Sequence, residues 1–453
     1  MLRLALPIYV ELLSAVVAVG VIDLLWVAGL GEAAIAAVTV GTTAEYLAYG
    51  LFLAVPTGVT VLVGRRDGRA PLAPVIRTGW LLWGVFSIAV AVPGVLLREP
   101  LAALFTDDPA LTADFFLISL GGLPVYFAQT VVDGVLKGLG NTRLPMRHAI
   151  VCNVLVVVLD PLFIHGLGMG VQGAAVATVL ARALTLAIAL RSLARHPALA
   201  GHPAPARDPA PARHPASAPD AAPAHHPAPG RHPAPGRHPG ASRRDRSREA
   251  DRATGGGVMR TGLPMSGDFL ARALVGMATV EILAGFGTAE VAGYGIGQKI
   301  MLAGVMVFYA LRQAAMIRTA RSEPVRSPLL LGLGSGAAVA VVLNLLAAPA
   351  TALFTDDPAA AVGFLRWMTL YLVPFGGLIA VGGVLQASGR GGRLLAATLA
   401  GFAAQVPLAY ALSAWFGVAG VWWAMAAGAA VSLAGALVPR AGQASPALSP
   451  SGG

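Results

Sequence analysis

Of the 453 residues, 56% are apolar and only 12% are charged, about half the charged share usual in a soluble domain. A soluble globule cannot hide that much apolar surface, so a water-soluble enzyme, a disordered chain and a secreted disulfide scaffold are excluded, leaving a polytopic membrane protein. The net charge of +10 would favour nucleic-acid binding in a soluble chain, but here most basic residues sit in short segments between apolar runs, as expected of loops at a membrane face. The single cysteine, Cys152, excludes an internal disulfide and a Cys-rich metal site.

A spanning helix needs about 20 mainly apolar residues. Twelve such runs follow one another, roughly at 5–30, 37–63, 78–97, 111–136, 146–166 and 171–194, then 262–287, 291–318, 329–350, 360–386, 394–415 and 418–438. The first run begins almost at Met1 but has no clear small-residue cleavage site, so it reads as a retained helix. Arg65, Arg66 and Arg69, Lys137, Arg143 and Arg147, Arg191 and Arg195, Arg318, Arg321 and Arg326, Arg390 and Arg393, and Arg440 all fall in alternate loops. The opposite loops hold Arg98 and the acids Asp107, Asp108, Asp356 and Asp357. This asymmetry predicts an even number of spans in a multi-pass cell-membrane protein with both termini cytoplasmic.

Residues 197–257 are rich in Pro, Ala, His and Arg, with near-repeats such as RHPAPGRHPG. Proline cannot donate a backbone hydrogen bond and disfavours helix before it, so the stretch reads as an extended, disordered cytoplasmic linker. Its irregularly spaced histidines do not form a metal motif. The domains expected are therefore a six-helix bundle at 1–196, the linker at 197–257, a second bundle at 258–440 and a disordered tail at 441–453.

ALFTDDPA occurs at Ala103–Ala110 and again at Ala352–Ala359, and Gly134–Gly140 matches Gly383–Gly389 at the same offset. Gly31–Gly41 matches Gly287–Gly297, Leu6-Pro7 matches Leu263-Pro264, and Gly170–Gly173 echoes Gly417–Gly420. Five matches in one order mean a duplicated six-helix unit. An even number of spans makes the copies parallel repeats about an axis along the membrane normal, with a substrate path expected between them. The fold class is thus all-α and membrane-embedded, twelve helices in two pseudo-symmetric bundles.

The LALP opening, IDLLWVAGLG in span 1, LFTDDP, the GLGNTRLP turn and LDPLFIHGLGMGVQGAAVAT together resemble the multidrug and toxic compound extrusion (MATE) family. The resemblance covers essentially everything outside 197–257 and the tail. Span 7, FLARALVGMATVEILAGFG, looks most like the DinF-type branch, which has an Arg near the place of Arg272, where the sodium-driven NorM-type branch has an acid. Membership implies a V-shaped pair of bundles that exports organic, often cationic, compounds in exchange for H⁺ or Na⁺, without an organic cofactor.

Ionisable groups inside spans are costly and are functional candidates. Asp23, Asp160 and Thr178 lie roughly 9, 9 and 12 Å from the outer ends of spans 1, 5 and 6, by the rise of an α-helix. The resemblance adds that they match positions lining the cation site of the first lobe. One departure is Val156, where those members carry Asn; Asn153 could supply an oxygen only if the helix were irregular, which favours H⁺ over Na⁺. Two carboxylates in one low-dielectric pocket cannot both ionise cheaply, as a loading site requires. Thr178 could instead bond its own helix, and Arg182 could pair with the aspartates.

Pro7 offers a place for span 1 to bend. Glu281, with Arg272, marks a possible polar site in the second lobe, at a depth matching Asp23 although not its repeat partner. Glu45 and Arg366 also fall inside spans, whereas Glu11, Asp133, Asp268 and Lys299 are placed to reach interface water. Tyr46, Tyr126, Trp367, Met368 and Tyr371 could line a cavity for flat cations, or belong to aromatic belts and packing. The leading function is a monomeric secondary antiporter in the bilayer that exports small organic molecules and binds no nucleic acid. A flippase for a lipid-linked precursor is the close alternative. An intramembrane enzyme finds no support, since the spans contain no HExxH, GxSxG, P-loop or His/Cys cluster, and His148 and His165 sit at opposite ends of span 5.

Overall fold

The computed structural model describes residues 1–67, 69–105, 109–198 and 243–438, and every regular element among them is a helix. Span 1 is Leu2–Val27, span 2 the bent pair Ala33–Phe52 and Ala54–Arg66, and spans 3 to 6 are Ala73–Leu96, Pro109–Gly138, Arg143–Gly166 and Gly170–Ala194. Span 7 is Arg243–Ala284. Spans 8 to 12 are Thr288–Ala320, Pro328–Thr351, Ala359–Ala387, Gly391–Phe416 and Val418–Leu437. Ten of these, or eleven with the bent pair counted as one, are long and apolar enough to cross a membrane. Span 7 falls short of that test because it carries Asp268, Arg272 and Glu281.

The duplication is visible in the backbone. Gly31 and Gly287 have φ of +102° and +117°, Gly140 and Gly389 both have +81°, and Gly170 and Gly417 have +57° and +59°. These are the glycines of the repeated motifs, and each holds a turn that side-chain-bearing residues rarely adopt. Each bundle has its own apolar core. Phe52 stacks on Phe127 at 4.2 Å in the first, and Tyr294 stacks on Trp422 at 6.0 Å in the second.

The chain departs from the expected boundaries at span 7. Helix begins at Arg243, inside the stretch read as a 197–257 linker, and Thr254 and Val258 are buried. The last proline of that stretch is Pro239 and the next is Pro264, so no proline breaks the helix between them, and it runs on through Gly255, Gly256 and Gly257 although glycine disfavours helix. Charge and proximity to the prolines concealed this. The rest of that linker, 199–242, and the expected tail at 441–453 lie outside the described residues.

Spans 1 and 7 also cross between bundles. Ala5 and Ile8 pack against Ala310, Leu311, Ala314 and Ile317 of span 8. Val258 joins the core of the first bundle, and Gly262 lies so near Ala54 that a β-carbon would overlap its carbonyl. The bundle boundary therefore does not fall at residue 258 in space.

Two spans contain built-in irregularities. Span 2 bends by 41° between Phe52 and Ala54, where Pro56 lacks a donor and its ring opposes the carbonyl of Phe52. The broken turn is closed from span 7: Ala54 N–H donates to Ser266 Oγ at 2.9 Å, and Ser266 Oγ–H donates to Leu51 O at 3.1 Å. Span 1 stays α-helical through Pro7, from Leu2 to Leu12, so the irregularity lies elsewhere than expected; a π-helical turn follows at Leu13–Ala18.

At the arginine-rich end the bundles are tied together. Arg321 Nη1 bonds Asp67 at 2.7 Å, Arg69 Nη1 donates to Ser322 Oγ at 3.2 Å, and Arg65 Nη2 donates to Ala387 O at 2.5 Å.

Candidate functional site

Asp23, on the α-helical stretch Val19–Val27 that follows the π-turn of span 1, is 4% exposed, and Asp160 is fully buried. Asp160 precedes Pro161, after which span 5 makes its own π-helical turn at Leu162–Gly166. Such turns break the regular ladder and recur at functional sites. Thr178 Oγ1 donates to Asp23 Oδ1 at 3.4 Å, joining span 6 to span 1. Asp160 interacts electrostatically with Asp23. Both carboxyl oxygens of Asp160 are buried without a hydrogen-bond partner among the described residues.

Arg182 does not neutralise this pair. Its Nη1 bonds Glu45 Oε2 at 2.8 Å, and its guanidinium lies 4.6 Å from the centre of the Tyr126 ring. Two buried carboxyl groups with no bonded cation form a place where a proton or small cation would be held, since an uncompensated buried charge is costly.

Between the bundles lies a cavity of about 160 Å³ lined by Glu11, Tyr126, Asp133, His148, Cys152, Asn153 and Arg182 from the first bundle and by Arg312 and Gln386 from the second. Glu11 pairs with Lys137 at 2.6 Å, and Asp133 faces His148 Nδ1 at 3.2 Å and accepts from Gln129 at 3.0 Å. A second cavity of about 190 Å³ lies mainly in the second bundle, lined by Arg272, Tyr294, Gln298, Tyr309, Tyr371, Phe375, Phe402 and Gln405, among others, with Tyr46 of span 2 reaching it from the first. Arg272 grips Asp268 through Nη2 at 2.9 Å and Nε at 3.2 Å. Arg312 approaches the same carboxylate at 3.4 Å and donates to Gln386 at 3.2 Å.

The MatE family profile matches residues 7–162 and 264–411, which together are most of the chain. The chain belongs to the MatE family. A stretch of 122 residues is 33% identical to the probable multidrug resistance protein NorM of Thermotoga maritima, covering 26% of each chain. Another, of 159 residues, is 30% identical to the DNA damage-inducible protein F of Escherichia coli, covering 34% of this chain and 35% of that one. The aligned stretches thus span well under half the length of these curated relatives. A solved Vibrio cholerae MATE transporter superposes with a TM-score of 0.77 at 20% identity, covering 96% of this chain and 94% of that one. That match carries the whole two-bundle fold.

In this MatE protein the residues picked from sequence separate into groups. Asp23, Asp160 and Thr178 come together. Asn153 Nδ2 donates to Ser14 O at 3.2 Å, in the π-turn of span 1, while its Oδ1, the atom expected to contribute, is buried without a hydrogen-bond partner among the described residues. Tyr126 faces the central cavity, whereas Tyr46 and Tyr371 face the second. Trp367 packs on Trp423 at 5.6 Å, and Met368 is fully buried in the apolar core rather than lining a cavity. Glu281 is exposed and accepts from Tyr410 Oη at 2.5 Å, so it does not form a site with Arg272. Glu11 and Asp268, expected at interface water, are buried in ion pairs and Asp133 is buried against His148, while Lys299 and Arg366 are exposed. His148 and His165 stay apart, His148 on Asp133 and His165 against Trp26.

Arg312 and Gln386 escaped the sequence reading. Gln386 has a repeat signal, standing in GVLQASG where the first copy has Lys137, and Arg312 is an ionisable residue inside span 8, the same signal that singles out Glu45.

Proposed function

We propose that this MatE-family chain is a secondary antiporter that exports small organic compounds across the cell membrane, with both termini cytoplasmic, in exchange for inward H⁺. The observation that carries the reading is the buried pair Asp23 and Asp160, with Thr178 on one carboxylate and no bonded partner on the other. Val156, buried beside this level of span 5, offers no side-chain oxygen, which favours a proton over Na⁺ because a metal ion needs several oxygen ligands. Loading the pair removes negative charge between spans 1, 5 and 6. Unloading restores it and favours a different packing of the same helices. Coupling requires that substrate and proton differ in affinity between the two arrangements. The irregular turns at Leu13–Ala18 and Leu162–Gly166 are the places where these spans can change shape at low cost.

The test is efflux of cationic and anionic dyes from an efflux-deficient host, with and without Na⁺ and with the proton gradient collapsed. Asp23→Asn and Asp160→Asn each abolish gradient-driven efflux while leaving membrane levels normal, because Asn has the shape of the protonated acid but cannot release a proton. Wild-type rates in both variants would overturn the assignment. Efflux that followed Na⁺ and ignored the proton gradient would replace H⁺ by Na⁺.

A further inference from the structure

The geometry points to the second-bundle cavity as a binding site for an aromatic organic anion, such as an aryl carboxylate or sulfonate. This deepens the export reading, on which it rests, and departs from the expectation of a cationic substrate. Three observations carry it.

The first is charge. No Asp or Glu is among the described residues lining the cavity, and Arg272 does line it. Asp268, which Arg272 grips, is shared with Arg312. Two guanidinium groups against one carboxylate leave a net positive charge beside the cavity, and Gln386, which Arg312 also holds, is neutral. Glu281 lies along a neighbouring groove that shares Gly276 and Tyr294 with the cavity, but Tyr410 Oη engages it.

The second is the geometry of the guanidinium. Nε and Nη2 are spent on Asp268, whereas Nη1 has no hydrogen-bond partner among the described residues. Arg272 is 18% exposed on its side chain while Asp268 is 3% exposed, so the cavity meets the cation and not its counter-ion. A guanidinium with spare donors matches a carboxylate or sulfonate oxygen.

The third is the wall. Arg272 lies 5.0 Å from the Phe375 ring centre and 5.6 Å from that of Phe402. Those ring faces, which would otherwise attract a cationic ligand, are already turned towards a fixed positive charge. Tyr371, stacked on Phe375 at 4.8 Å, and Tyr309 add aromatic surface and a hydroxyl each to the lining. The site therefore selects an aromatic body with a negative head.

The experiment uses full-length protein in lipid nanodiscs and equilibrium dialysis of three probes on one scaffold: 2-naphthoate, 2-naphthylmethanol and 2-naphthylmethylammonium. The expected order is naphthoate tightest, by about tenfold over the cation, equivalent to about 1.4 kcal/mol. Arg272→Gln should lower naphthoate affinity about tenfold and leave the neutral alcohol unchanged. Gln405→Glu, on span 11 and of nearly the same shape, should reverse the order of anion and cation; it tests the idea even if Arg272→Gln fails to fold. Equal binding of all three probes, preference for the cation, or naphthoate binding untouched by either folded variant would overturn the proposal. Binding is read at equilibrium without a gradient, so it does not depend on ion-driven turnover. Loss of transport with retained binding therefore bears on the antiport reading alone.

Discussion

Arg182 and Glu45 face each other at 2.8 Å with only 13% and 10% of their side chains exposed. Removing one partner strands the other charge, a change that typically costs about 3–5 kcal/mol. Arg182→Met should therefore lower the thermal unfolding midpoint of the detergent-solubilised protein strongly, whereas Arg182→Met with Glu45→Met should recover most of it. Equal midpoints for the single and double variants would show that Glu45 is not the partner that matters. Sequence placed Asp23, Asp160 and Thr178 at one depth, because distance along a helix is counted in residues. It could not say that Arg182 turns to Glu45 rather than to the aspartates. That depends on how helices 137 residues apart rotate about their axes and approach each other.

Span positions and the duplication were readable for the same reason: apolar run length and motif offset are one-dimensional quantities. The crossing of spans 1 and 7 was not. Nothing in Ala5, Ile8 or Val258 distinguishes packing within a bundle from packing between bundles. The helix from Arg243 was hidden because polar composition resembles a linker until its missing prolines are noticed. At this scale the contact between Ser266 and the break in span 2 invites a direct test. Ser266→Ala leaves the Ala54 N–H and Leu51 carbonyl without their side-chain partner, and each unsatisfied buried group costs about 1–3 kcal/mol. The variant should unfold at lower temperature and lose the fixed bend, read as altered distance between spin labels at positions 40 and 63. An unchanged midpoint and distance would mean that water or a neighbouring group replaces the hydroxyl.

For the whole molecule, the ties at the arginine-rich end hold the two bundles together on that side of the central cavity. The pair Arg321–Asp67 is partly exposed, at 17% and 26%, so its worth is about 0–1 kcal/mol, enough to change the ratio of two states by up to about fivefold. Asp67→Asn should raise the share of molecules open at that end. Cys152, the one cysteine and a lining residue of the cavity, reports this without further engineering: an impermeant maleimide should alkylate it several-fold faster from the arginine-rich side in the variant, and an unchanged rate would mean that Arg65 and Arg69 suffice to hold the end shut. The Ser266 clasp also has a consequence in time. Ser266 lies 212 residues beyond Ala54, and at about 5–20 residues per second a ribosome needs roughly ten to forty seconds to make that stretch. Throughout that interval the nascent span 2 sits in the bilayer with its broken turn open. The first half must therefore hold its place in the membrane without this clasp until span 7 has been made.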